Sequence, residues 1–196
     1  MSSLGVLGGT FNPPHVGHLI CAQEARVQLG LDRVALVPAC RPPHKQVAAD
    51  PGPETRLELC RLAVEGVEGL CVLDLEVERG GESFTVDTLR ELDANGSGDD
   101  LTFIVGGDMA LSLPTWREPA EIMRLARLGV AERKGTIRAD IETRLAPLGD
   151  RIDFFDMPRI DLSSTDIRSR VAAGRPLRYF VPDAVAARIA QEGLYR

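Results

Sequence analysis

The chain has 196 residues, of which 44% are hydrophobic and 27% charged, and its formal net charge is −6. These values are typical of a globular protein, so we expect one domain over residues 1–196 with a full core. A nucleic-acid-binding protein would usually carry a basic face, and the negative charge balance argues against that class.

The sequence also argues against export and membrane insertion. No apolar run approaches the roughly 20 residues that a transmembrane helix needs, and the segment MSSLGVLGGT lacks the regions of a secretion signal. The four cysteines include no CxxC pair, which favours reduced thiols over a disulfide framework. We therefore expect a cytoplasmic protein without a membrane partner. Its oligomeric state stays open, and a homo-oligomer is one option.

The first half of the chain alternates short apolar runs with helical periodicity. Residues 4–7 form an apolar run that ends in glycines, which predicts a buried strand. Residues 16–29 show helical periodicity, and Gly30 is a stop signal. The other predictions for this half are strands at 33–37 and 70–77, helices at 54–64 and 84–92, a proline-rich loop at 40–53 and a turn at 95–98.

The second half continues the alternation. Its predicted elements are strands at 101–105, 126–131 and 151–155, helices at 118–124 and 138–145, and helices that begin at Ser164 and Pro182. Such alternation predicts a Rossmann-like α/β fold, in which a parallel sheet carries helices on both faces. Ligands bind such sheets beyond the carboxyl ends of the strands, near the switch in strand order. The two strongest motifs follow the first and the last strand and therefore fall at this edge.

The first motif, GGTFNPPHVGHL, begins at Gly8. Its residues Gly8, Gly9, Thr10 and Phe11 leave a strand and lead towards a helix. Glycines there let the backbone approach an anion, and a helix N-terminus adds positive potential. The spacing matches neither the dinucleotide fingerprint nor a Walker loop. The alternative interpretation is a tight strand–helix turn without a ligand.

Two histidines close this motif. His15 and His18 lie three positions apart at a helix start, so they share a face and could donate hydrogen bonds to phosphate oxygens. The alternatives are capping or surface histidines, and a zinc site completed by Cys21. The HxxH-xx-C spacing is not a familiar arrangement of zinc ligands.

Two further segments suit phosphate groups. His44 and Lys45 end the proline-stiffened segment RPPHK and would make a compact phosphate clamp, or else a solvated basic loop. The segment LSSTDIR contains Ser164, Thr165 and Arg168, and predicts an N-cap followed by a helix. Its amides, hydroxyls and first-turn arginine could grip a terminal phosphate, although a bare helix cap has the same pattern.

Three other residues suit the rest of a nucleotide. Asp108 follows a predicted strand, where a carboxylate could meet a ribose hydroxyl or the metal of a triphosphate, or else cap a helix. Trp116 could stack on a planar ring or belong to the core. Thr85 opens a predicted helix, whose N-terminus could hold a carboxylate or be a plain cap.

These motifs together resemble the bacterial nicotinate mononucleotide adenylyltransferases, within the HxGH nucleotidyltransferase superfamily. The likeness runs along nearly the whole chain. GGTFNPPHVGHL and SSTDIR are specific for the superfamily, and PPHK, SFTVDTL and the PTW that follows GGD narrow it to this family. The C-terminal YFVPDAV and GLY also match. One departure is Arg133-Lys134-Gly135, where the family usually has arginine, proline and glycine.

The resemblance implies a Rossmann-like fold and a reaction in which ATP and nicotinate mononucleotide give deamido-NAD and pyrophosphate, with Mg²⁺. It implies that Gly8 to Phe11, His15 and His18 hold the ATP phosphates. Ser164, Thr165 and Arg168 would bind the leaving group, and Asp108 a ribose. The residues that it implies for the mononucleotide are His44, Lys45, Thr85, Trp116 and Arg133.

This reaction is consistent with the residue types found. The attacking 5′-phosphate is already an anion, so positioning and charge stabilisation suffice and no protein nucleophile is needed. Two alternatives stay open at this point. One is another HxGH enzyme, such as a phosphopantetheine adenylyltransferase or a cytidylyltransferase, and the other is a nucleotide-binding regulator without turnover.

Overall fold

In the computed structural model, which describes residues 2–43, 49–95, 100–132 and 138–196, six strands pair in parallel in one sheet. They are β1 (Ser3–Gly9), β2 (Arg33–Pro38), β3 (Leu70–Val72), β4 (Asp100–Gly106), β5 (Arg127–Glu132) and β6 (Ile152–Asp156). Their spatial order is β3-β2-β1-β4-β5-β6, so β1 lies between β2 and β4, where the strand order reverses. The carboxyl ends of β1 and β4 are therefore the expected place for a ligand.

Helices cover both faces of this sheet. They are α1 (Val16–Gln28), α2 (Pro53–Val64), α3 (Leu75–Arg79), α4 (Thr85–Ala94), α5 (Gly107–Ser112), α6 (Pro119–Leu125), α7 (Arg138–Leu145), α8 (Ser164–Ala172) and α9 (Asp183–Glu192). Among the described residues, no helix combines the length and the apolar character that spanning a membrane requires.

The core has a layer on each face of the sheet. On one face, Val86, Leu89 and Ile122 of α4 and α6 pack against strand residues such as Val105. On the other, Ala25 of α1 and Cys60 of α2 pack against β2. Burial on both faces explains why the central strands are almost continuously apolar. The expected Rossmann-like α/β fold is confirmed.

The predicted strand at 70–77 is wrong beyond its first residues. β3 ends at Val72, and α3 begins at Leu75. Alternating apolar and polar residues over 73–77 imitate a half-buried strand. However, Glu76 is buried and accepts a hydrogen bond from the Thr88 hydroxyl of α4 at 2.6 Å. A polar side chain that faces inward in this way does not follow the strand pattern.

The short helix α5 was not among the predicted elements. It follows β4 directly, with Gly106 as its N-cap residue, and it has six residues. A segment of this length is too short to show helical periodicity. The remaining predicted strands and helices are confirmed to within about two residues at their ends, which is the usual disagreement at helix and strand boundaries.

A substitution in β1 tests this packing. A Cβ at Gly5 would lie 2.8–2.9 Å from side-chain carbons of Leu31, Val34 and Ile104. Because overpacking a dense core is destabilising, Gly5→Ala should lower the free energy of unfolding by about 1–3 kcal/mol. Gly8→Ala in the same strand is the matched control, since the nearest atom to a Cβ there, a ring carbon of Phe103, would lie at 3.7 Å, an ordinary van der Waals distance. Urea denaturation that gave both variants the stability of the parent would contradict the packing described.

Candidate active site

Packing between Gly9 and Phe11 fixes the loop that joins β1 to α1. Phe11 has a left-handed backbone, with a φ of 48°, and its ring is buried. A Cβ at Gly9 would lie 3.0–3.2 Å from that ring, so the glycine lets the ring fold back on the end of the strand. A left-handed backbone costs a residue with a side chain about 1–3 kcal/mol, and such residues cluster at functional sites.

His15 and His18 open α1. His15 is the N-cap residue, and its backbone N–H donates to Nδ1 of His18 at 3.2 Å. The two rings stack with their centroids 3.8 Å apart. Gly17 leaves room for this, because a Cβ there would lie 3.0 Å from Nδ1 of His15. Since Nδ1 of His18 accepts a hydrogen bond, the proton of its neutral ring lies on Nε2, which is then a donor.

The N-terminus of α8 is a well-formed helix cap. The hydroxyl of Ser163 accepts from the backbone N–H of Asp166, and the Asp166 carboxylate accepts from the backbone N–H of Ser163 at 2.8 Å. Hydrogen bonds from the Ser163 hydroxyl and then from its backbone hold the pKa of Asp166 below its ordinary value. The predicted N-cap at this position is therefore confirmed, and it orients the residues that follow.

Two side chains of α8 bind it to the β1–α1 loop. The hydroxyl of Ser164 donates to the carbonyl of Pro13 at 2.8 Å, across 151 positions of sequence. Arg168 donates from Nη1 to the carbonyl of Asn12 at 2.8 Å, and from Nη2 to Oγ1 of Thr165 at 3.0 Å. These contacts bring the two strongest sequence motifs together and fix the orientation of the guanidinium.

The loop and α8 enclose a cleft of about 360 Å³, which we call the first cleft. Imidazoles, hydroxyls, a guanidinium and a helix N-terminus meet there, and such groups bind phosphate. The predicted site residues that line it are Thr10, His15, His18, Ser164, Thr165 and Arg168.

A second cleft of about 420 Å³ lies on the other side of the end of β1. Its lining is more apolar than that of the first. Gly8 and Gly9, which the sequence assigns to ATP, line this second cleft, and Thr10 lines both. The other residues that line it are Pro42, Pro43, Ser83, Phe84, Thr85, Met109, Trp116, Arg117 and Ile122.

Trp116 belongs both to the core and to the wall of the second cleft. Its ring meets Phe103 of β4 edge to face, with centroids 6.0 Å apart, and its Nε1–H donates to the Ser112 hydroxyl at 3.0 Å. The indole is therefore held in a fixed orientation. A rigid aromatic wall of this kind suits a planar ring.

The N-terminus of α4 opens on the second cleft at Thr85. Within the described ranges, no side-chain hydrogen bond caps this end. The first N–H groups of a helix have no partner inside the helix, and they favour an anion. Arg117 adds a cation: its guanidinium lies 4.7 Å from the centroid of the Phe84 ring and 3.3 Å from the carboxylate of Asp87.

In the sequence, Asp108 lies between residues that line the first cleft and residues that line the second. It is exposed in the first turn of α5, between Gly106, which lines the first cleft, and Met109, which lines the second. His44, Lys45 and Arg133, which the sequence also assigns to the site, lie outside the described residues.

No group of three or more His, Cys, Asp or Glu side chains in the described part of the chain could hold a metal ion. The zinc site considered from His15, His18 and Cys21 therefore gains no support, although all three residues line the first cleft. All four cysteines are thiols and not disulfides.

The sequence relatives identify the family. A family model described as cytidylyltransferase-like matches residues 6–170. A protein from Exiguobacterium sibiricum named "Probable nicotinate-nucleotide adenylyltransferase" is 41% identical over 192 residues, which cover 98% of both chains. A protein of the same name from a Roseiflexus species is 45% identical over 195 residues, again 98% of both chains. The chain belongs to the nicotinate-nucleotide adenylyltransferases, within the cytidylyltransferase-like family.

Two solved structures have the same fold as this chain. Plasmodium falciparum nicotinic acid mononucleotide adenylyltransferase complexed with NaAD has a TM-score of 0.81 and 15% identity, over 100% of this chain and 98% of that chain. The same enzyme complexed with APC has a TM-score of 0.80 and 14% identity, with the same coverage. At this identity the likeness shows the fold, and the sequence relatives confirm the resemblance drawn from the motifs.

Two arginines of this family member could not be singled out from the motifs. Arg117 directly follows Trp116, and its position on the cleft wall depends on the turn before α6. Arg56 is fully buried in α2, one helical turn before the buried Cys60. The spacing of four positions between Arg56 and Cys60 was the sequence signal for this arginine, because it places a charged residue on the core-facing side of a helix.

Binding of inorganic pyrophosphate tests the first cleft. Arg168→Ala removes a charged donor, and hydrogen bonds to charged groups contribute about 1.5–3 kcal/mol, so the affinity should fall at least about tenfold. Arg168→Lys should give a smaller loss, because it keeps the charge without the planar fork. Arg170→Ala is the control: Arg170 lies in the same helix as Arg168 but outside the cleft lining, and its guanidinium stacks on the ring of Phe180, 4.1 Å from the ring centroid. The affinity is measured by calorimetry. If a folded Arg168→Ala protein bound pyrophosphate as tightly as the parent, the α8 motif would be a helix cap without a role in phosphate binding.

Proposed function

We propose that this protein transfers the adenylyl group of ATP to nicotinate mononucleotide, giving deamido-NAD and pyrophosphate in NAD biosynthesis. The observation that carries the proposal is the pair of clefts that meet at Thr10. One cleft has phosphate-binding groups, and the other has an aromatic wall and a helix N-terminus. ATP in the first cleft and nicotinate mononucleotide in the second would have their reacting phosphate groups at the wall that the two clefts share.

The reaction is a direct displacement in this proposal. An oxygen of the mononucleotide 5′-phosphate bonds to the α-phosphorus of ATP, and the bond from that phosphorus to the bridging oxygen breaks. The electron pair leaves with pyrophosphate. The nucleophile is an anion at neutral pH, so the chain needs to supply positions and donors, not a general base.

The first cleft would hold the triphosphate. We assign His15 and His18 to the α-phosphate, where charge develops in the transition state, and Ser164, Thr165 and Arg168 to the departing pyrophosphate. The hydrogen bond that His18 accepts at Nδ1 orients its ring. A donor that is held in place before the reaction stabilises developing charge without a cost of reorganisation at that moment.

Mg²⁺ would accompany the triphosphate. The described residues contain no closed cluster of metal ligands, and Mg²⁺ on nucleotides is usually held by one or two carboxylates together with the phosphates. The single exposed carboxylate of Asp108 fits that ligand set, and we propose that it meets either the metal or a ribose hydroxyl. When bound, the cation would neutralise phosphate charge.

The second cleft would hold the mononucleotide. We propose that Trp116 stacks on the pyridine ring and that the N-terminus of α4 at Thr85 binds the carboxylate. The family resemblance assigns His44, Lys45 and Arg133 to the same substrate. The family resemblance assigns Gly8, Gly9 and Phe11, in the segment that leads from β1 to α1, to the ATP phosphates, and we keep that assignment as a proposal.

We propose further that residues 1–196 form one nucleotidyltransferase domain that acts in the cytoplasm. All four cysteines are thiols, and a reducing compartment keeps thiols in that form.

Release of pyrophosphate from ATP and Mg²⁺ with a panel of acceptors tests this function. The panel contains nicotinate mononucleotide, nicotinamide mononucleotide, phosphopantetheine and a cytidylyl acceptor paired with CTP. Turnover with nicotinate mononucleotide is the expected result. Turnover with another acceptor alone would assign a different member of the superfamily, and ATP binding without any turnover would indicate a regulator.

Replacement of His18 tests the stabilisation of the α-phosphate. His18→Ala should lower kcat by about 10²–10³, as expected for the loss of one such donor, and should change the affinity for ATP much less. His18→Glu separates this role from helix capping, because a glutamate there still accepts the His15 N–H but has no donor. It should be at least as slow as His18→Ala, because its carboxylate also repels the triphosphate, and it should be more stable against unfolding than His18→Ala. Near-normal turnover in either folded variant would refute the assignment.

The choice between the two mononucleotides tests the helix end at Thr85. The N–H groups there suit a carboxylate, whereas the amide of nicotinamide would oppose donors with its own NH₂ group. Hydrogen bonds to charged groups contribute about 1.5–3 kcal/mol, so kcat/KM should favour nicotinate mononucleotide at least about tenfold. Arg117→Gln should keep this preference, because the N–H groups are backbone. Loss of the preference in that variant would transfer the role to the guanidinium, and equal kcat/KM values in the parent would overturn the substrate choice.

A further inference from the structure

Arg56 of α2 is a fully buried charged residue with an unusually complete set of partners. Its side chain is 0% exposed. Nη1 donates to the carbonyls of Thr10 at 2.9 Å and Ala39 at 2.6 Å, Nη2 donates to the carbonyl of Cys40 at 2.9 Å, and Nε donates to the Asp50 carboxylate at 2.9 Å. One guanidinium therefore joins two loops that come from different strands.

A buried charge of this kind is weak evidence for stability. Removing an arginine and an aspartate from water costs free energy, and a well-packed apolar pair of similar volume is often as stable. What the guanidinium supplies is geometry. Its planar fork presents donors in fixed directions, which the ammonium of a lysine cannot reproduce.

One of the carbonyls that Arg56 binds belongs to the wall shared by the two clefts, and the other two lead towards the second cleft. Thr10 lines the first cleft and the second. Ala39 and Cys40 continue β2 into the segment that reaches Pro42 on the second cleft. The backbone N–H of Ala39 also donates to the carbonyl of Gly9 at 2.9 Å, so the ends of β1 and β2 are held to each other at this point.

The network continues to the far wall of the second cleft. The backbone N–H of Cys40 donates to the hydroxyl of Ser83 at 2.8 Å, and the backbone N–H of Ser83 donates to the carbonyl of Arg41 at 2.9 Å. Ser83 lies two residues before Thr85, at the N-terminus of α4. Hydrogen bonds thus run from the shared wall at Thr10, through Arg56 and Cys40, to the helix end of the second cleft.

We propose that Arg56 is a positioning residue that sets the distance and orientation between the two clefts, and through them the alignment of the attacking phosphate with the α-phosphorus. The inference rests on the proposed function for the identity of the two ligands. Arg56 touches neither ligand in this role. It acts through the carbonyl groups of Thr10, Ala39 and Cys40.

The test is a comparison of kcat with KM in Arg56→Lys. A misplacement of about 1 Å can cost about 10² in rate, so kcat per binding-competent site should fall about 10- to 100-fold. Each cleft keeps its own ligand contacts, so the KM values for ATP and for the mononucleotide should stay within about threefold. Titration with a non-hydrolysable ATP analogue counts the competent sites, so that loss of folded protein does not count as loss of rate.

Arg61→Lys is the matched control. Arg61 lies in the same helix, is 57% exposed and pairs with Asp74 at 2.7 Å, and its variant should retain the parent kcat. The inference is overturned if Arg56→Lys keeps kcat per site within about twofold, or if its loss of rate is equalled by a loss of affinity for the ATP analogue.

A second variant applies if Arg56→Lys does not fold. Asp50→Ala removes the charged partner at Nε, whose side chain is 28% exposed, and leaves the three carbonyl contacts in place. Its kcat per site should fall at least about threefold, because a charged hydrogen bond that orients the fork is lost. An unchanged kcat would overturn the inference.

The parent protein is assayed first, with the panel of acceptors. If it uses an acceptor other than nicotinate mononucleotide, the ratios of kcat between variant and parent are measured with that acceptor. Failure of the proposed function is therefore distinguishable from failure of the role of Arg56.

Discussion

The turn after β1 has to serve two clefts at once, and the rest of the site depends on how its backbone is fixed. Thr10 lines both clefts, so any displacement of this residue changes both together. Among the groups that hold the turn are the buried ring of Phe11 inside it, Arg168 from α8 at the carbonyl of Asn12, and Arg56 from α2 at the carbonyl of Thr10. Elements that are distant in sequence thus converge on one short stretch of backbone.

Charge in this protein is organised locally. The chain is acidic overall, with a formal net charge of −6, yet the described lining of each cleft includes a guanidinium, that of Arg168 in the first and that of Arg117 in the second. Neither cleft needs a protein nucleophile for the proposed reaction, since the acceptor phosphate brings its own negative charge. Fixed donors are sufficient, because catalysis of phosphoryl transfer consists almost entirely of positioning and electrostatic stabilisation.

Contiguous features were predictable from the sequence, and features made by tertiary contacts were not. The strands, the cap at Ser163 and the meeting of the first and last motifs follow from local patterns and from the edge rule for parallel sheets. The segment at 73–77 imitated a strand because its apolar and polar residues alternate, whereas in α3 the side chain of Glu76 turns inward to Thr88, a contact that no periodicity records. Gly8 and Gly9 line the second cleft, and their assignment to the ATP phosphates stays a prediction. The partners of Arg56 come from two loops, one after β1 and one after β2, so its role is visible in the folded chain alone.

The stereochemical course at the α-phosphorus tests the central claim most directly. If two ligands in adjoining clefts react in a single in-line displacement, the configuration at phosphorus must invert. The measurement uses ATP that carries a chiral α-phosphorothioate, with nicotinate mononucleotide as the acceptor, and determines the configuration of the dinucleotide product. The expected result is inversion. Retention would mean that an adenylylated side chain intervenes, and it would contradict direct transfer across the wall formed by Thr10.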